Sequence, residues 1–232
     1  MDTKVTNYRA IFRILGIIIL IVGVAEVFPW IYAEAVGDDN CVFAFRICAP
    51  ITLAIGLAML FFIKTGRSRF GAREGYLVVA LCWIVASLIG AFPYLLSGFF
   101  DNYIDSFFES ASGFTTTGCT VSASGVVNRS LMLWKAISHW LGGMGILVFV
   151  ISLLPALGIN GQIIARAEMP GPVLEKTSVR MSDSAKALYL TYLSFTVIEF
   201  ILLMLSGKMP LYDGVITTLG SISTGGLLVH PQ

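Results

Sequence analysis

Hydroxyl and glycine residues are concentrated in one stretch of this otherwise apolar chain, Ser112-Gly113-Phe114-Thr115-Thr116-Thr117-Gly118-Cys119. The stretch has no helical period, whereas residues 101–111 before it have the pattern of a short amphipathic helix with Asp101 as its N-cap. Non-helical backbone at membrane depth is tolerated only where protein buries it or water reaches it. Carbonyl oxygens can replace the hydration shell of a monovalent cation, and Gly118 allows a turn that points them inward. Local composition alone fits an ordinary loop equally well.

A second copy of the pattern favours a pore lining over an ordinary loop. Near the end of the chain, residues 220–226 read Gly-Ser-Ile-Ser-Thr-Gly-Gly and repeat the Gly-x-x-x-Thr-Gly pattern of residues 113–118. Upstream, Leu-Ser-Gly at 96–98 and Tyr-Ile-Asp at 103–105 are echoed by Leu-Ser-Gly at 205–207 and Leu-Tyr-Asp at 211–213. Each copy predicts an apolar helix, a short re-entrant helix and a turn, so the repeat is architectural.

Composition places the chain among all-α membrane proteins. Hydrophobic residues make up 56% of the sequence and charged residues only 12%, which is far from the composition of soluble domains. The four cysteines lack Cys-x-x-Cys spacing, and His139 and His230 lack the spaced partners of a zinc or hydrolase site. Neither a nucleotide-binding motif nor a basic nucleic-acid-binding patch is present. We therefore expect neither an enzyme nor a cofactor, and no nucleic-acid partner.

The hydropathy pattern predicts spans over residues 14–32, 47–63, 76–96, 131–157 and 187–205. Lysine and arginine are concentrated in the loops at 64–73 and 166–186, whereas the loop at 34–39 is acidic, which predicts a cytoplasmic amino terminus. Both hydroxyl-rich turns then enter from the outer face. A cleaved signal peptide ending at Ala33-Glu34-Ala35 is the alternative for the first segment, but its length and its Trp30 and Tyr32 favour a span.

Two carboxylates, Glu26 and Glu199, fall within predicted spans. An ionisable group at membrane depth is a functional candidate by default. Both residues are distant in sequence from either turn, so a position near the outer interface or a hydrogen bond between helices is favoured for each.

Four separated motifs resemble the TrkH potassium-uptake family, in its order and at its approximate spacing. They are Ser-Gly-Phe-Thr-Thr-Thr-Gly at 112–118, His-Trp-Leu-Gly-Gly-Met-Gly at 139–145, Leu-Pro-Ala-Leu-Gly at 154–158 and Arg-Ala-Glu-Met-Pro-Gly-Pro at 166–172. The resemblance covers nearly the whole chain. It implies two extra transmembrane helices over 1–73, one helix/pore-loop/helix unit over 74–160, a cytoplasmic loop over 161–186 and an incomplete second unit over 187–232.

The function implied by the resemblance is inward movement of potassium through a selectivity filter of backbone carbonyls. The filter positions carry over to Thr116, Thr117 and Gly118 in the first turn and to Ser223, Thr224 and Gly225 in the second. The second turn is the looser match to the family. The resemblance further implies a multi-pass protein of a bacterial or archaeal plasma membrane, a homodimer when full length, and a cytosolic nucleotide-binding regulatory subunit of the TrkA type.

The sequence stops at Gln232, just after the second turn, whereas the family encloses its pore with four successive units in one chain. We interpret the chain as the amino-terminal half of a longer transporter; a partner that supplies the remaining units is the alternative. A sodium-permeable or sodium-coupled relative is a rival within transport, because such carbonyls do not by themselves exclude sodium. A non-conducting membrane scaffold is the rival from another class.

Overall fold

The computed structural model describes residues 8–63, 72–122, 128–145 and 181–226. Every regular element in these ranges is an α-helix, which confirms the predicted fold class. The helices, numbered here along the chain, are α1 Tyr8–Val36, α2 Asp39–Phe62, α3 Ala72–Gly90, α4 Phe92–Leu96, α5 Tyr103–Phe114, α6 Arg129–Gly143, α7 Met181–Leu205 and α8 Leu211–Ile222.

Within the described ranges, four helical segments have the length and hydropathy that a bilayer span requires: Tyr8–Val36, Asp39–Phe62, Leu77–Leu96 and Lys186–Leu205. The second starts before the predicted residue 47, because the Asp38 side chain caps α2 by accepting a hydrogen bond from the Cys41 amide at 3.3 Å. Burial raises the pKa of the Asp38 carboxyl, but hydrogen bonds from Cys41, Asn128 and Ser130 outweigh it and hold that pKa below its usual value.

The predicted third span is confirmed, whereas the predicted fourth span differs from the helix observed. The third, Leu77–Leu96, includes the end of α3 at Gly90 and the whole of α4, which has Pro93 in its first turn. The prediction of one continuous helix over 131–157 was wrong at its middle. Helix α6 ends at Gly143, and Gly145 has a φ of +59°, which a continuing helix does not allow. Residues 146–157 lie outside the described residues, as do the motifs at 154–158 and 166–172 and most of the loop at 64–73.

In the core of the helix bundle, α6 packs against both α1 and α5. Helix α1 contacts α2, α3 and α6, and Ile14 and Val22 on it are completely buried. Trp134 of α6 is also completely buried, and its indole N–H donates to the Gly90 carbonyl at 3.0 Å. Phe114, the last residue of α5, packs edge-on against Trp134 with ring centroids 6.0 Å apart. The end of α5, where the first hydroxyl-rich turn begins, is therefore anchored in the core.

Candidate functional site

Both short helices that precede the turns begin at matched positions. Helix α5 is capped by Asn102, whose side-chain oxygen accepts from the Asp105 amide at 2.9 Å, so the prediction of Asp101 as the cap was wrong by one residue. Helix α8 has the same length of 12 residues and follows Pro210. Proline has no side-chain oxygen, so α8 begins without a side-chain cap.

The first turn reverses the chain immediately after α5. The amides of Thr115, Thr116 and Thr117 donate to carbonyls of the last turn of α5, at 2.9, 3.1 and 3.0 Å respectively. Thr116 then has a φ of +54° and Gly118 a φ of +76°, both in the left-handed region. A positive φ at a β-branched threonine is strained, which is typical of functional backbone.

The second turn has the same main-chain bonds after α8. The amides of Ser223, Thr224 and Gly225 donate to helix carbonyls at 3.3, 2.9 and 3.0 Å, and their acceptors occupy the same relative positions as in the first turn. Thr224 has a φ of +59° and Gly226 a φ of +66°. The two turns therefore share one conformation.

The shared conformation changes the register of the repeat by one residue. It equates Thr116 with Thr224 and Gly118 with Gly226, each pair 108 residues apart. The sequence pattern had instead matched Gly118 with Gly225. In the structural register, Ser223, Thr224 and Gly225 correspond to residues 115–117, so sequence reasoning missed Thr115 and Gly226. The starts of α5 and α8 are also 108 residues apart, and this spacing was the available signal.

The structure brings the two predicted filter turns together. A β-carbon at Gly118 would overlap the carbonyl oxygen of Gly225. Gly118 therefore has two reasons to be glycine, its positive φ and this close approach of a neighbouring main chain.

Helix α6 packs against both turns through its small residues. A β-carbon at Gly142 would overlap the Phe114 carbonyl, and one at Gly143 would lie 2.8 Å from the Cα of Ser223. His139 is completely buried, and its ring lies against Gly225. Its Nδ1 is 2.8 Å from the Lys135 carbonyl and donates to it, since that oxygen can only accept.

The carbonyl oxygens of the two turns have no hydrogen-bond donor among the described residues. Within the described ranges, no N–H or O–H group donates a hydrogen bond to the carbonyls of residues 115–118 or 223–226. The next carbonyl, that of Cys119, accepts two hydrogen bonds, from Ser112 Oγ at 2.7 Å and from Lys135 Nζ at 3.1 Å. The carbonyls of the first turn thus differ from that of Cys119, whose oxygen is already engaged by protein donors.

The two intramembrane carboxylates differ in position. Glu26 is completely buried in α1 next to Thr52 of α2, and Glu199 is partly exposed on α7. Among the described residues, neither carboxylate forms an ion pair.

Comparisons with known proteins identify the relatives of this chain. The family model of TrkH, described as a cation transport protein, matches residues 42–232. The Trk system potassium uptake protein TrkH of Salmonella typhimurium is 34% identical over 97% of this chain and 47% of its own length. The Trk system potassium uptake protein TrkG of Escherichia coli is 28% identical over 98% of this chain and 47% of its own length.

A solved structure is also similar. The crystal structure of the potassium transporter TrkH from Vibrio parahaemolyticus aligns with a TM-score of 0.76 at 29% identity, over 97% of this chain and 45% of that one. The chain thus spans about half the length of the relatives it matches. Taken with the two matched turns, these similarities show that the chain belongs to the TrkH family of cation transport proteins.

Proposed function

We propose that the chain is part of a potassium-translocating membrane protein, in which K⁺ moves inward past the carbonyls of the two turns. The filter positions proposed are Thr116, Thr117, Gly118, Ser223, Thr224 and Gly225, to which the structural register adds Thr115 and Gly226. The relatives named as Trk system potassium uptake proteins support the choice of ion.

One observation carries the proposal. Two turns of the same conformation meet at Gly118 and Gly225, and their carbonyls receive no hydrogen bond within the described part of the chain. Unpaired carbonyls at membrane depth each cost several kcal/mol unless water or an ion satisfies them. A partly dehydrated monovalent cation supplies that interaction, and neutral oxygen ligands hold it loosely enough for it to leave.

The ion path that we propose needs more ligands than this chain supplies. Two turns cover one side of a cation, and the chain spans about half the length of its relatives. We propose that the remaining units of a four-unit pore complete the ring. In this arrangement residues 1–73 form two extra helices, 74–160 the first unit, 161–186 a cytoplasmic loop and 187–232 part of the second unit.

The distribution of charge and the family support a proposal for the membrane orientation and the protein partners of the transporter. The basic loops at 64–73 and 166–186 support a cytoplasmic amino terminus in a plasma membrane. We propose a homodimer of full-length chains, and a cytosolic nucleotide-binding subunit of the TrkA type that contacts these loops.

The test is potassium-limited growth of a host that lacks its own potassium uptake systems, with the protein expressed from its complete reading frame. We expect rescue of growth and rubidium uptake that excess sodium inhibits weakly. Equal transport of sodium would instead favour the sodium-permeable relative. Rescue that survives disruption of both turns would refute the carbonyl path, and absence of cation uptake from a well-inserted protein would favour the scaffold.

A further inference from the structure

A buried ion pair lies between α5 and α6, next to the chain that leaves the first turn, and the proposed cation path does not explain it. Lys135 Nζ of α6 lies 2.5 Å from Glu109 Oε1 of α5, and the two side chains are only 3% and 1% exposed. Burying a charge is costly, and a buried pair often stabilises a protein no more than apolar residues of the same size would. Its presence therefore calls for a reason other than stability.

Both members of the pair also bind the main chain that leaves the first turn. Lys135 Nζ donates to the Cys119 carbonyl at 3.1 Å, and Glu109 Oε2 accepts from the Val121 amide at 3.2 Å. Ser112 Oγ adds a second hydrogen bond to the Cys119 carbonyl at 2.7 Å. Two charge-assisted bonds thus hold residues 119–121 against α5 and α6.

These residues, 119–121, leave the first turn as a non-helical segment that is called the exit strand here. The exit strand starts directly after Gly118, which contacts the second turn at Gly225. A shift of Cys119 would therefore move Gly118 and the preceding carbonyls relative to the second turn. Because the two charges cancel, the pair acts on an ion through the position of these carbonyls more than through its own field.

The second copy of the repeat lacks this arrangement. In the structural register, the position equivalent to Glu109 is Thr217, which carries no charge. The ion pair therefore fixes the first turn only.

We propose that Glu109 and Lys135 are a positioning pair that fixes the exit strand of the first turn and thereby sets the preference for potassium over sodium. This inference rests on the proposed function. It adds two residues to the determinants of selectivity, and neither of them contacts the ion.

The test uses the double variant E109L/K135M in the full-length protein. Removing one member would leave an unpaired buried charge and endanger folding, whereas replacing both with apolar residues of similar size avoids this. The matched control is E34L/K208M, which makes the same changes at two exposed positions.

Two measurements are made on each protein. Amide hydrogen exchange of peptides covering 119–122 reports on the strand directly and does not depend on transport. Potassium and sodium uptake in proteoliposomes give the ion preference. In E109L/K135M we expect exchange about tenfold faster and a potassium-to-sodium ratio about tenfold lower, the factor that the loss of one charge-assisted hydrogen bond accounts for. The control should match the unaltered protein in both.

Each other outcome overturns a specific step. Unchanged exchange would show that the pair does not hold the strand. Faster exchange with an unchanged potassium-to-sodium ratio would show that the exit strand does not set selectivity. An equal fall of this ratio in the control E34L/K208M would show that the effect does not come from the Glu109–Lys135 pair. If the unaltered protein carried no potassium, the proposed function would fail, while the exchange measurement would still decide whether the pair holds the strand.

Discussion

Replacement of Gly118 by alanine tests the contact between the two turns most directly. Gly118 has a φ of +76°, and a β-carbon there would overlap the Gly225 carbonyl oxygen. The obstacle is main chain rather than the end of a flexible side chain, so the substitution must push the turns apart. Gly98 provides the matched control, because it has a similar φ of +70° and, apart from its chain neighbours, no described residue has an atom within 4 Å of its β-carbon position.

The expected magnitudes follow from these two terms. An alanine in the left-handed region destabilises the folded state by about 1–2 kcal/mol, and this applies to both variants. Overpacking destabilises it by about 1–3 kcal/mol more, and this applies to G118A alone. The free energy of unfolding should therefore fall by about 2–5 kcal/mol in G118A and by about 1–2 kcal/mol in G98A.

The assay combines thermal unfolding in detergent with potassium and sodium uptake in proteoliposomes. We expect a lower melting temperature for G118A than for G98A, and a loss of potassium preference in G118A alone. If the overlap destabilises the potassium-bound state by about 1.4 kcal/mol relative to the sodium-bound state, the preference for potassium over sodium falls about tenfold. Equal effects of the two substitutions on stability and on preference would refute the argument that the turns meet at Gly118.

Three further predictions follow from contacts outside the first turn. G143A should lower the free energy of unfolding by about 1–3 kcal/mol and reduce potassium uptake, because its β-carbon would lie 2.8 Å from the Cα of Ser223. Thermal unfolding measures the first effect and rubidium uptake the second. W134F should lower the free energy of unfolding by about 1 kcal/mol or more, because the Gly90 carbonyl loses its 3.0 Å hydrogen bond; denaturant unfolding against a conservative surface variant checks it. The pKa of Asp38 is lowered in the folded state, so its carboxylate stabilises the protein above its unfolded pKa of about 4, and this stabilisation is lost as the pH falls through the folded pKa. The melting temperatures of D38N and the unaltered protein should therefore converge on acidification. A difference in melting temperature that does not depend on pH would contradict this.

The sequence alone determined the fold class, the approximate spans and the two turns. Apolar runs of bilayer length can only form helices in lipid, because every backbone polar group must be satisfied within the segment. The turns were recognisable because hydroxyl and glycine residues interrupt such runs twice in the same order. These are local properties of the chain, so they can be read without knowledge of any contact.

Tertiary structure alone decided the register of the second turn and the end of α6. Matching glycine to glycine placed the repeat one residue out, because the left-handed positions that define the turns are held by Thr116 and Thr224 as well as by glycine. Hydrogen bonds to the preceding helix impose that conformation, and no propensity predicts it for threonine. Helix α6 stops at Gly143, where the second turn packs against it.

The same distinction applies to the buried ion pair. In sequence, Glu109 lies in the predicted short helix before the first turn and Lys135 in the predicted span over 131–157, 26 residues apart, and neither position indicates the other as its partner. Only the packing of α5 against α6 removes both from water, and the cost of burying either charge alone explains why they must pair. Local patterns determine which segments become helices and turns, whereas the partner of each polar group depends on contacts between segments far apart in the chain.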